Sequence, residues 1–210
     1  MSLFLDSAKL EDVQAASALG FIIGATTNPA LLSKAGHKDP IKALKAICEL
    51  LPGPVFHQLT DRTVEGMQAE AKPFIGLAPN LGLKIMATPE GMQFTAAVTD
   101  QVVVAVTGVF SPSQAYLASV AKADYVIPYV NRLTRYTGGG QAVIQDMAGV
   151  LFPTDTDLLA AGIKTPAEAV ETLLSGADHV SLPIDVIQAM ATNDLTLEAY
   201  ANFDTYSQKS

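Results

Sequence analysis

The feature that most restricts this chain is an alternation. Eight short apolar runs, at residues 3–6, 21–26, 55–58, 81–86, 102–107, 125–130, 158–163 and 179–182, are separated by segments with helical spacing. Ile41, Leu44, Ile47, Cys48 and Leu51 recur at helical intervals, as do Val64, Met67, Ala71 and Phe74. Helix starts are marked by Asp61 before Thr63, Thr88-Pro89-Glu90, Ser111-Pro112 and Thr165-Pro166 with Glu168 next. Proline suits the first turn because its missing N–H would be unpaired there anyway. Eight strands alternating with helices predict an α/β chain folded as one (β/α)8 TIM barrel over residues 1–210, with a helical tail after about 195. The competing architecture is a doubly wound open sheet. No Gly-x-Gly-x-x-Gly follows the first run, which counts against a dinucleotide site there.

Composition fits a parallel barrel. Hydrophobic residues make up 49% of 210 positions, mostly Ala, Val, Leu and Ile, with no Trp. A net charge of −8 with no basic run argues against nucleic acid and anionic lipid as partners. No stretch reaches the roughly 18 apolar residues of a membrane span. One cysteine, Cys48, permits no internal disulfide, and with no signal-like N-terminus the expectation is a cytoplasmic protein.

A barrel of this kind carries its site at the C-terminal ends of its strands. That rule collects Asp6, Thr26, Thr27, Asn28, Gln58, Lys84, Thr107, Tyr129, Asn131, Arg132 and Lys164. Alternation puts Gly82, Lys84 and Met86 on one face of the fourth strand and Leu83 and Ile85 on the other. The apolar pair belongs under the helices, so Lys84 is expected to point into the barrel. Burial there disfavours the ammonium form and leaves a nucleophilic amine, which condenses with a ketone or aldehyde to an imine. The bland alternative is a lysine that reaches solvent at the strand end or pairs with Asp6 or Glu90.

The other groups are suggestive only as a set. The Tyr129 phenol is placed to move protons directly or through a water, and Gln58 and Thr107 to hold that water. Asp6, Thr26 and Asn28 are candidates to bind substrate hydroxyls. Arg132 and Arg135 lie three residues apart, beside Thr137-Gly138-Gly139-Gly140, and are candidates for gripping a phosphate. The three histidines, His37, His57 and His179, show no metal-ligand spacing, so no metal and no cofactor are expected.

Motifs along nearly the whole chain resemble the small transaldolase family, and within it the fructose-6-phosphate aldolase type. They are Leu-Phe-Leu-Asp-Ser-Ala at 3–8, Gly-Ala-Thr-Thr-Asn-Pro at 24–29, Glu-Gly-Met at 65–67, Leu-Lys-Ile at 83–85, Tyr-Val-Asn-Arg at 129–132, Lys-Thr-Pro at 164–166 and Ser-Leu-Pro-Ile-Asp-Val at 181–186. The resemblance implies that Lys84 is the imine lysine, with Asp6 and Asn28 beside the donor hydroxyls. It further implies that Tyr129 is the proton donor and acceptor, with Gln58 and Thr107 holding a water. Transaldolases place Glu where this chain has Gln58, and usually Phe where it has Tyr129; the aldolases have Gln and Tyr. The implied reaction is reversible joining of a small hydroxyketone, such as dihydroxyacetone or hydroxyacetone, to an aldehyde such as glyceraldehyde 3-phosphate. Its alternative is transfer of a dihydroxyacetone unit between sugar phosphates, and a non-catalytic sugar- or partner-binding barrel is a third reading. The resemblance also implies a homo-oligomer, a pentamer or decamer.

Several positions depart from the family pattern. Gly162 stands where the aldolases carry a phosphate-binding Ser, Met86 where Pro is common, Ile127 where the residue is small, and Ala105 where it is bulkier. From these, Gly162 and Ala105 are expected at the barrel mouth, loosening the preference for a phosphorylated acceptor.

Overall fold

The computed structural model describes the backbone of residues 1–207 and the side chains of residues 1–203. Eight parallel strands close into a barrel in sequential order: β1 (Ser2–Asp6), β2 (Ile22–Thr26), β3 (Val55–Gln58), β4 (Leu81–Met86), β5 (Val104–Val109), β6 (Tyr125–Pro128), β7 (Asp157–Ala160) and β8 (His179–Leu182). The fold is the (β/α)8 barrel expected from the alternation. Around it run α1 (Leu10–Leu19), α2 (Pro29–Lys34), α3 (Pro40–Leu50), α4 (Val64–Ala71), α5 (Pro89–Val98) and α6 (Pro112–Val120). They continue as α7 (Val130–Thr137), α8 (Gly140–Leu151), α9 (Pro166–Leu174), α10 (Ile184–Met190) and α11 (Asp194–Ser207).

The apolar residues divide into two shells, as strand alternation requires. Leu83, Ile85, Val104 and Val106 join the outer shell between sheet and helices. Phe4, Phe56, Ala105, Ile127 and Leu159 fill the barrel itself. Two glycines make room for the rings. A Cβ on Gly24 would fall 2.8 Å from the Phe4 ring, and one on Gly82 would fall 2.8 Å from the Phe56 ring.

Three of the predicted caps form as read, and at α4 the cap is Thr63 itself, with Asp61 accepting from the Thr63 N–H and hydroxyl. The hydroxyls of Thr63, Thr88, Ser111 and Thr165 each accept from a backbone N–H three residues on. Two units repeat one construction that sequence reasoning missed. Before α6, Ser111 caps Gln114 N–H while Gln114 Oε1 accepts from Phe110 N–H at 2.9 Å. Before α9, Thr165 caps Glu168 N–H while Glu168 Oε2 accepts from Lys164 N–H at 2.7 Å. Both helices then lead into Ala-Asp: Asp124 accepts from Val104 N–H at 2.8 Å, and Asp178 from Leu158 N–H at 2.9 Å. Each aspartate ties the start of one strand to the next, which fixes the parallel stagger of that quarter of the barrel.

Three strand ends differ from expectation. β5 runs on to Val109 through an irregularity around Gly108, whose φ of 68° a side chain rarely adopts. β6 stops at Pro128; Tyr129 bridges Ala161 and caps α7, and Val130 is already helical. β7 ends at Ala160, two residues before Gly162 turns left-handed at φ 70°.

Candidate active site

β4 carries Lys84 into the barrel. It is 3% exposed, level with Gln58 on β3 and Ala105 on β5. Its amine has no hydrogen-bond partner and no carboxylate within 4.0 Å among the described residues, so the bland pairing with Asp6 or Glu90 does not form. Burial lowers its pKa from 10.5 to about 8, and the charge of Asp6 pulls part of the way back. A lysine in that state is partly neutral near physiological pH and free to attack a carbonyl.

Asp6, at the end of β1, faces the same space. Thr26 Oγ1 donates to its Oδ1 at 2.9 Å and lies 2.7 Å from Ser181 Oγ on β8. Asp6 Oδ2 has no partner among the described residues. Burial raises the Asp6 pKa, while Lys84, the Thr26 hydrogen bond and Lys164 oppose the rise. Sequence reasoning gave Ser181 no part in the site. Its signal was there: it is a polar residue two positions beyond His179, on the inward face of an apolar strand.

Across the mouth, Thr107 donates its hydroxyl proton to Tyr129 Oη at 2.9 Å. The phenol proton is thereby left to point elsewhere. Burial raises the Tyr129 pKa, with Thr107 and Arg132 pulling it down and Asp6 adding to the rise, so the phenol stays protonated at neutral pH. The Tyr129 ring packs edge-on against Phe110 at 5.8 Å. The Arg132 guanidinium lies over both, 5.3 Å from the Tyr129 centroid and 5.8 Å from that of Phe110. Gln58 Nε2 donates to Met86 Sδ at 3.8 Å, which leaves Gln58 Oε1 open.

Not every candidate joins this cluster. Asn28 caps α2, its Oδ1 accepting from Leu31 N–H at 2.9 Å, and it makes no hydrogen bond to Asp6, Thr26 or Lys84. Thr27 is fully buried and ties β2 to the carbonyl of Phe56. Arg135 is exposed on the side of α7 away from the buried Val130 and Leu133, one turn beyond Arg132 and roughly 60° round the helix from it. Gly138 ends α7 at φ 69°, so the glycine run serves as the break between α7 and α8. Ala105 is fully buried beside Lys84 instead of lining the mouth, because β5 continues past it.

The remaining reactive side chains are muted. His57 faces outward against Phe74, 4.1 Å between ring centroids, and burial lowers its pKa to about 4. Burial pushes the Cys48 thiol up to about 11. Among the described residues no group of three or more His, Cys, Asp or Glu is placed to hold a metal, and no helix is long and apolar enough to cross a membrane.

This polar mouth on a closed barrel agrees with comparison to known proteins. The family model described as "Transaldolase/Fructose-6-phosphate aldolase" matches residues 3–210. The chain belongs to the transaldolase/fructose-6-phosphate aldolase family. Family relatives include a "Probable transaldolase" of Aquifex aeolicus, 36% identical over 93% of this chain and 91% of that one. A "Probable transaldolase" of Methanococcus maripaludis is 34% identical over 97% and 95%. Among solved structures, a thiamine phosphate pyrophosphorylase from Pyrococcus furiosus superposes with a TM-score of 0.63 over 90% of this chain and 91% of that one. Its sequence identity is 16%, so the likeness is one of fold. The family is one of enzymes acting on sugars, and its name covers both the transfer and the aldol reaction.

Proposed function

We propose that the protein is a class I aldolase of the fructose-6-phosphate aldolase type, joining dihydroxyacetone or hydroxyacetone reversibly to an aldehyde through a Schiff base on Lys84. The observation that carries this reading is the unpartnered Lys84 amine, buried and lowered to about 8, facing a protonated Tyr129 and the free oxygen of Asp6 across one mouth.

The amine adds to the donor ketone, a water leaves, and an iminium forms. In cleavage the bond beyond the donor hydroxyl breaks, its electron pair moves into the iminium as an enamine, and the aldehyde departs. The alcohol proton leaves through the water on Gln58 Oε1, the enamine carbon takes the Tyr129 phenol proton, and the water returns the alcohol proton to the phenolate; hydrolysis then frees the ketone and Lys84. Thr107 orients the Tyr129 phenol for this transfer. Asp6, Thr26 and Asn28 hold donor hydroxyls, and Arg132 holds an anionic acceptor tail. Arg135, one turn further on the same side of α7, is the second candidate for that tail.

A second reading is favoured by the names of the relatives: a transaldolase passes the enamine to a second aldehyde before it is protonated. The two separate on rate. Donor ketose alone is compared with ketose plus acceptor aldehyde, in the wild type and in Tyr129→Phe. The aldolase reading expects Tyr129→Phe to lose at least about a hundredfold in cleavage, the low end of general acid–base catalysis, and much less in transfer. A wild type that transfers faster than it cleaves, or equal losses in both, overturns it. Borohydride trapping with dihydroxyacetone, mapped by mass spectrometry, must label Lys84 and not Lys164.

The reading includes a cytoplasmic homo-oligomer. It is supported by α11, which presents Leu195, Leu197, Tyr200 and Phe203 at 60–73% exposure, more apolar surface than one helix of a monomer usually leaves in water. Sedimentation of the full chain tests it.

A further inference from the structure

Above the ends of β3 and β4 lies a cavity of about 500 Å3, set to one side of the Lys84 chamber. The loop after β3 and the start of α5 enclose it, with Gln58, Thr60, Arg62, Met67, Met86 and Glu90 on its walls. Gln58 and Met86 stand between it and Lys84. Gln58 is the β3 partner of Lys84, and Met86 is two residues beyond Lys84 on the same face of β4. The Met86 thioether spans the strand ends. Its sulfur meets the Gln58 amide at 3.8 Å, and its methyl rests where a Cβ on Gly108 would approach to 2.6 Å. At 39% exposure it forms the roof over the β4 side of the amine.

Thr60, Asp61 and Thr88 on its walls are engaged with Glu70, Thr63 and Gly91, but three polar groups are not. Gln58 Oε1, the Arg62 guanidinium and the Glu90 carboxylate have no hydrogen-bond or ion-pair partner among the described residues. Its charge disfavours anions, because Asp61 and Glu90 stand against the single Arg62. The cation on Tyr129 and Phe110, Arg132, lies with β6 instead. A phosphate is therefore drawn to one side of the mouth and repelled from the other.

We propose that Met86 is a specificity-determining residue, over whose thioether the tail of a neutral, hydroxylated aldehyde runs into this second cavity. The C–H faces of such a chain lie on Met67 and Met86, and its hydroxyls meet Gln58, Arg62 and Glu90. Phosphorylated acceptors take the Arg132 side and make little use of the cavity. This rests on the Schiff-base reading above.

The test compares kcat/KM for a free four-carbon aldose with that for glyceraldehyde 3-phosphate. Met86→Trp fills the passage, and the ratio of free aldose to phosphorylated aldehyde should fall at least tenfold, carried by KM for the aldose. An unchanged ratio, or equal losses for both acceptors, overturns the proposal. Glu90→Lys, at an exposed first-turn position, is the second variant and decides the matter if Met86→Trp does not fold. It makes the lining net positive, so kcat/KM for a phosphorylated four-carbon aldose should rise at least fivefold relative to the free sugar; no rise overturns the proposal. Borohydride trapping accompanies both. No adduct at Lys84 in the wild type defeats the Schiff-base reading itself. A Lys84 adduct in every variant, with selectivity fixed, defeats only the role of Met86.

Discussion

The two ends of this barrel interior are made by the same strands and have opposite chemistry. At the N-terminal end, Phe4 meets Phe56 at 6.3 Å, Tyr125 at 6.1 Å and His179 at 5.9 Å, and Phe56 meets Tyr125 at 5.3 Å. His179 pairs with Asp157 at 3.1 Å. At the C-terminal end, two residues further along six of the eight strands, stand Asp6 after Phe4, Thr26 after Gly24, Gln58 after Phe56, Lys84 after Gly82, Thr107 after Ala105 and Ser181 after His179, while β6 and β7 stay apolar with Ile127 and Leu159. On these six strands one pleat repeat separates a packed ring, or a glycine or alanine beside it, from a polar group. The packed end holds the strand ends of the other in place, which lets the mouth carry a destabilising amine without collapsing.

The comparison breaks most visibly at Lys84. Lys84→Met should remove the borohydride adduct and more than about 1,000-fold of catalysis, since Lys84 is the lysine that burial leaves partly neutral. It should not lower Tm. Depressing a lysine from 10.5 to about 8 costs on the order of 3 kcal/mol of folding free energy at neutral pH. The sign follows from proton binding: between those values the unfolded chain holds the proton and the folded chain does not, so stability rises with pH there. The excess stability of Lys84→Met should therefore be largest below pH 8 and shrink toward pH 10.5, measured by chemical denaturation.

The opposite change is Phe56→Ala. It removes a fully buried ring from the packed end and should cost about 3–5 kcal/mol, while the fraction still folded at low temperature keeps its Lys84 adduct. If this variant loses imine formation while folded, the division between the two ends is wrong.

A smaller effect is the pH dependence of imine formation. The neutral amine attacks, so the rate should climb through the range below about 8 and level off above it. A limb near 10.5 would mean that Lys84 is solvated in the working enzyme.

These expectations also mark what the sequence made legible. Lys84 was readable because a charged residue in Gly-Leu-Lys-Ile-Met violates its own pattern, and alternation gives its direction. The caps Thr88, Ser111 and Thr165 were readable because they act within three residues of themselves, whereas at α4 Asp61 is read for the cap that Thr63 makes. What was not readable depends on partners distant in sequence or on backbone irregularity. Asn28 and Arg135 look like ligands by type, yet the Asn28 carbonyl is taken by Leu31 N–H, which leaves only its amide N–H groups for a ligand, and Arg135 sits on the exposed side of α7 one turn beyond Arg132. Ala105 was misplaced because nothing local marks the continuation of β5 through Gly108. Ser181 and Met86 acquire meaning only when β8 closes onto β1 and Gln58 comes within reach of the sulfur.

The smallest expected effect comes from Gly162, where the mouth is shaped by backbone more than by side chain. The family pattern puts a serine there, and a hydroxyl bound to phosphate is worth roughly 1.5–3 kcal/mol. Space is available, since an added Cβ would lie 3.6 Å from Tyr129 Cβ, an ordinary contact. The backbone is the obstacle, because φ is 70° and a non-glycine residue held there costs about 1–2 kcal/mol. Gly162→Ser should thus lower Tm by about 2–8 °C while raising kcat/KM for glyceraldehyde 3-phosphate roughly tenfold to a hundredfold over glyceraldehyde. Gly162→Ala carries the same strain without the hydroxyl, so it should reproduce the Tm loss and none of the gain. If serine and alanine shift selectivity alike, the backbone at Gly162 sets the acceptor preference. If neither shifts it, Arg132 holds the phosphate without help from β7.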